Sequence, residues 1–169
     1  MSIPNTLMQN LYYPAALGTG LVLLLYKILG YQSLQEAVSD IRNWFAILLV
    51  VYFSLSYLAN DQLQRVYGWD LFSLDFAEVM LLLAAFYYLG FFTPAGNALN
   101  LRGLYGSLGV IPVLHFIWNY QSGDPDVRRW CIVFARFTIL GVGGLIGYRW
   151  QWYSVFTLFA LSALTIIYC

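Results

Sequence analysis

The sequence predicts an all-α protein, a polytopic transmembrane helical bundle of about six spans, and three observations predict it. The first is composition: 61% of the 169 residues are hydrophobic and only 9% are charged, against about 25% charged in an ordinary soluble domain. The second is tryptophan placement. Trp44, Trp69, Trp118, Trp130, Trp150 and Trp152 all stand at the ends of apolar runs, where an indole keeps its ring in hydrocarbon and its N–H at headgroup level. The third is run length. Six apolar stretches approach the ~20 helical residues that a bilayer core of about 30 Å requires.

The spans fall at about 12–30, 43–59, 72–92, 103–118, 130–147 and 151–168, one integral membrane domain over residues 1–169 with ends uncertain by a few residues. Met1 to Asn10 contains no Lys or Arg, so it lacks the basic region of a secretory signal. Tyr31, Gln32 and Ser33 separate the first two runs. Ser33 and Glu36 have the spacing of a capping box, which starts a helix at Leu34. Leu34, Val38, Ile41 and Phe45 then follow one face, so the second helix is expected to project a turn or two beyond the membrane before crossing it. Asn60 to Asp70 is the second loop, Thr93-Pro94-Ala95-Gly96-Asn97 is a turn, and Asn119 to Asp126 holds Gly123 and Pro125. The break between Gly147 and Gln151 is the weakest, leaving five spans as the alternative count.

Charge says little about partners beyond the bilayer. Eight basic and eight acidic side chains cancel, which excludes a cationic face for nucleic acid. Lys27, Arg42, Arg102 and Arg149 fall on one side of a six-span topology and Arg65, Arg128 and Arg129 on the other. Four against three leans to the first side as cytoplasmic, with both termini outside; the opposite orientation is nearly as well supported. Lys27 stands near a span end and is expected to snorkel. Cys131 and Cys169 read as small apolar side chains.

Ionisable groups within spans are functional candidates because an unpaired charge there costs about 2.5–3.5 kcal/mol even on the lenient insertion scale. Asp75 and Glu78 lie three apart on the third span, hence on one face. His115 lies in the last turn of the fourth span and Arg136 about two turns into the fifth. Six spans bring all four to one side of the membrane. The favoured arrangement is a structural Glu78–Arg136 ion pair with His115 donating to a carbonyl; the alternative is a proton, ion or ligand site just below one surface. Tyr87 and Tyr88 lie deeper than other tyrosines and need hydroxyl partners.

Small residues mark close helix approach. Gly103, Gly106 and Gly109 recur every three residues, and Gly143 and Gly147 form a small-x-x-x-small pair. His115 is nearly opposite Gly106 around the helix, so burying both faces needs a second protein, which points to other membrane chains.

Several chemistries fail on spacing. Ser107 and His115 are about 12 Å apart along one helix at 1.5 Å per residue, too far for a dyad. One histidine and two distant cysteines build no metal centre, and no cofactor is named by the sequence. Glu78 followed by Leu89-Gly90-Phe91-Phe92-Thr93-Pro94 resembles the second helix of the DoxX-type small membrane proteins. The lysine those proteins carry after the preceding helix is absent at Ala59 and Asn60, and the resemblance covers under a third of the chain, so it assigns no family. Span interiors poor in Asn, Gln and charge argue against a wide hydrated pore. The expected function is a non-catalytic membrane subunit packing in an oligomer or larger complex, with a lipophilic ligand held among its aromatics. The alternative is a small channel or transporter working through Asp75, Glu78, His115 and Arg136; a membrane enzyme ranks third.

Overall fold

The computed structural model describes residues 3–61, 67–92 and 99–122, together with Arg149. The expected spans 130–147 and 151–168, with Arg136, Gly143, Gly147 and both cysteines, lie outside the described residues. Every regular element among the described residues is helical. Three helices are long and apolar enough to cross a membrane: α1 (Ile3–Leu29), α4 (Trp69–Tyr88) and the apolar Leu101–Gln121 of α5 (Leu101–Ser122). Between α1 and α4 come the short α2 (Leu34–Ser39) and α3 (Ile41–Asp61), whose apolar part, Ile41–Leu55, is shorter.

Helix α1 begins well before the expected residue 12, and proline shapes it. A proline ring inside a helix crowds the carbonyl four residues back. Just before Pro14 the helix widens into a π turn over Met8–Tyr12, and the Tyr13 N–H reaches back to the Met8 carbonyl. That bulge absorbs Pro14 without ending the helix, and it sets the direction in which Tyr13 leaves the backbone.

The capping box forms: Glu36 N–H donates to Ser33 Oγ at 3.2 Å, and Gln32 N–H donates to Glu36 Oε2 at 3.2 Å. The expected uninterrupted helix from Leu34 onward does not. Asp40 takes an extended conformation (φ −77°, ψ 107°) because its carboxylate caps the next helix, accepting from Arg42 N–H at 2.9 Å. The carbonyls left open at the end of α2 are filled from α3: Asn43 Nδ2 donates to Ala37 O and Trp44 Nε1 to Val38 O, both at 2.8 Å. Leu34 and Val38 remain exposed.

At the same end of the bundle α4 stops at Tyr88, four residues before the expected end. Gly90 sits at φ 80°, the left-handed conformation that glycine adopts without a Cβ penalty. Gly90 N–H donates to Tyr87 O at 2.9 Å and Phe91 N–H to Phe86 O at 3.2 Å, the paired bonds of a Schellman ending. The Phe86 and Phe91 rings then meet edge to face at 5.9 Å, the apolar contact that accompanies such an ending. Tyr87 and Tyr88 therefore stand in the last turn of α4, not deep within it, and Tyr87 is exposed.

Helices α1 and α4 run parallel. Tyr12 meets Phe72 and Phe76, Gly20 lies under the Phe86 ring, and Lys27 lies 4.6 Å from the centre of the Phe91 ring. Helix α5 runs antiparallel to α4 along its length, with Gly103 against Tyr88 at one end and His115 against Glu78 farther along; α3 packs on α1. The core is apolar and fully enclosed at Phe45, Leu49, Phe53, Leu82, Phe86, Leu104 and Ile111. Outward apolar side chains such as Val22, Leu25, Ile47, Val51, Met80 and Val113 are exposed, as on a surface that faces lipid. Trp44 and Trp69 are exposed at helix starts, whereas Trp118 is buried.

Candidate functional site

Three helices contribute to one buried polar cluster. Glu78, 1% exposed, comes from the middle of α4. His115 Nε2 lies 3.1 Å from Glu78 Oε2, and the Tyr13 hydroxyl donates to the same oxygen at 3.3 Å. A single carboxylate oxygen thus joins α1, α4 and α5. Asp75, one turn earlier on α4, is also buried and accepts a hydrogen bond from the Tyr67 hydroxyl. Burial, then the charge and hydrogen bond of Asp75, push the Tyr67 phenol far above its ordinary range, so it remains a proton donor. Buried Gln9 and Asn119 extend the polar lining of the same helices.

The structure puts His115 against Glu78 and leaves Asp75 one turn away on the same helix. It sets them deeper than expected. Because α4 starts at Trp69 and ends at Tyr88, Glu78 is about 13.5 Å from the helix start at 1.5 Å per residue. His115 stands two turns from the end of α5, not in its last turn, since that helix continues to Ser122. Its Nε2 faces Glu78 itself, where the sequence suggested a carbonyl. Pro112 lies one turn earlier in α5 and removes the hydrogen bond to the carbonyl of Leu108.

The glycines divide. Gly103 packs against the Tyr88 ring, while a Cβ on Gly106 or Gly109 would meet nothing within 4 Å among the described residues. Ser107, buried between them, donates to Gly103 O at 2.9 Å. Tyr13 and Tyr67 escaped the sequence reading because tyrosines near span ends resemble an interfacial belt. The usable signal was Gln9 with Tyr13, polar-tipped residues four apart in an apolar helix.

A second charged group lies at the opposite end of the bundle. Asp40 binds Arg42 through Arg42 Nε at 2.8 Å and Nη2 at 2.5 Å, and accepts from the Tyr31 hydroxyl. Burial alone raises the Asp40 carboxyl, but the Arg42 and Tyr31 hydrogen bonds outweigh it and hold the group well below the usual carboxylate range. Lys27 Nζ is 3.8 Å from Asp40 Oδ2. Its ammonium is shielded within the protein, over Phe91, near the end of α1.

Among the described residues no three His, Cys, Asp or Glu side chains are grouped to hold a metal. Among the described residues, fold and site define an all-helical arrangement with three helices long and apolar enough to cross a membrane, joined by a buried carboxylate–histidine–tyrosine cluster. Comparison with protein-family models, curated proteins and solved structures finds no match.

Proposed function

We propose that this chain is a non-catalytic, multi-pass integral membrane subunit that packs within an oligomer or a larger membrane complex. One observation carries the reading: α5 has two unlike faces. Its inner face is tied to Glu78 through His115. Its opposite face presents Gly106, Val110 and Val113, all exposed, and a Cβ on Gly106 would meet nothing within 4 Å among the described residues. A glycine among exposed apolar side chains lets another helix approach to backbone contact at that point. The intramembrane polar groups meanwhile bind one another, which suits holding helices together.

Mass measurement of the protein extracted in gentle detergent tests this reading, joined to disulfide crosslinking of Val113→Cys in the native membrane. An assembly heavier than one chain, crosslinked at Val113, is expected. A single uncrosslinked chain overturns it.

The second reading, a small proton, ion or solute channel or transporter, draws on the order of the ionisable groups. Tyr67, Asp75, Glu78 and His115 lead from the start of α4 to its middle. On this reading Glu78→Gln folds normally yet abolishes flux in proteoliposomes; normal flux in that variant removes it.

A further inference from the structure

At the end of the bundle where α4 finishes, the last turn of α1, the first turn of α3 and the Gly90–Phe92 ending of α4 border an open cleft of about 750 Å³. Leu23, Tyr26, Lys27, Arg42, Phe91 and Phe92 are among its lining residues. The volume lies within the range of small-molecule sites, roughly 300–1,000 Å³. We propose that this cleft binds the headgroup of an acidic phospholipid, with the phosphodiester at Lys27 and Arg42 and the acyl chains running out past Tyr26 and Leu29.

Four observations carry the assignment. Among the described residues the cleft is positively charged, since Lys27 and Arg42 face one carboxylate, that of Asp40. That carboxylate is already engaged by Arg42 and by the Tyr31 hydroxyl. Lys27 is held 3.8 Å from it, close enough for attraction but without a hydrogen bond, and its buried ammonium finds no acceptor. An ammonium carries three donors, and a phosphate oxygen supplies the acceptor they lack. Arg42 leaves guanidinium donors beyond those given to Asp40, and guanidinium groups recognise phosphate well. The position fits lipid as well. The cleft opens where α1 ends, beside exposed Leu29, Leu34, Val38 and Trp44, the apolar and indole groups that settle at headgroup level. A soluble phosphate would gain nothing from those walls.

The test uses the full chain in nanodiscs or detergent with phosphatidylglycerol and phosphatidylcholine as probes. Native mass spectrometry should show phosphatidylglycerol retained about tenfold better than phosphatidylcholine, as expected for one charge-assisted hydrogen-bond site. Lys27→Gln should erase that preference and Lys27→Arg should restore it. Equal retention of the two lipids, or an undiminished preference in Lys27→Gln, overturns the proposal. Millimolar inorganic phosphate that displaces phosphatidylglycerol completely also overturns it, in favour of a free anion. Photoactivatable phosphatidylglycerol adds a test independent of any variant: it should label Tyr26–Tyr31 or Phe91–Phe92 in the unaltered protein, and labelling confined to other segments refutes the site.

Discussion

His115 Nε2 lies 3.1 Å from Glu78 Oε2, near the midpoint of α4 and in a contact almost wholly shielded from solvent. The same oxygen receives the Tyr13 hydroxyl, so its removal releases three helices at once. Polar contacts between membrane helices contribute about 0.6–2 kcal/mol each. Loss of one partner is worse than loss of both, because the survivor stays buried with fewer hydrogen bonds. Glu78→Leu and His115→Leu should each lower the midpoint of unfolding, and the double variant should lose less than the two together. A double-mutant cycle should give a coupling of about 1–2 kcal/mol. Simple additivity would mean that the two side chains are neighbours without being partners.

Asp40 joins α2 to α3 and grips Arg42. Its folded-state carboxyl is held below the ordinary value, so it binds protons less readily folded than unfolded. The resulting stability is fully present above the unfolded carboxylate value of about 3.9 and is lost as pH falls through the folded value. Asparagine can still cap a helix but carries no charge for Arg42. Asp40→Asn should therefore cost about 1 kcal/mol at neutral pH, with the gap to the unaltered protein shrinking below pH ~4. Denaturant melts at pH 7 and pH 3 check this; a gap that does not change with pH assigns the contribution to the cap alone.

The sequence made the helical class, the Ser33–Glu36 capping box and the one-turn spacing of Asp75 and Glu78 readable, because each depends on local spacing. What escaped depends on tertiary contact. Nothing in Val38-Ser39-Asp40-Ile41 breaks a helix by composition; Asp40 breaks it because Arg42 and Tyr31 converge on its carboxylate. Gly90 lies inside an apolar run, so the end of α4 was hidden until its positive φ was seen. Polar Asn5, Gln9 and Asn10 disguised the start of α1. The packing of Lys27 on Phe91 was hidden because it joins residues 64 positions apart.

Two glycines should respond oppositely to one methyl group. A Cβ on Gly20 would stand 2.7 Å from two atoms of the Phe86 ring, which is fully buried and locked in the core. Overpacking of that kind costs about 1–3 kcal/mol. Gly106 has open space among the described residues, so in the dissociated single chain alanine there should cost nothing and gain up to about 1 kcal/mol from helix propensity. Unfolding midpoints of Gly20→Ala and Gly106→Ala should fall on opposite sides of the unaltered protein. Equal losses would show that Gly106 is enclosed as tightly as Gly20.

Among the described glycines, Gly90 should be the most sensitive to its own backbone. At φ 80° a side chain meets the following carbonyl, at a cost of about 1–2 kcal/mol, and asparagine tolerates the conformation better than alanine. Gly90→Ala should destabilise by about that amount and Gly90→Asn by less, whereas Gly18→Ala, where a Cβ meets nothing within 4 Å, should not destabilise. The damage should also be local. The left-handed turn carries Phe91 back onto Phe86 and under Lys27, so amide exchange should rise first at Leu89–Phe91 and in the last turn of α1. If Gly90→Ala and Gly18→Ala exchange and unfold alike, the turn does not depend on a residue without a Cβ.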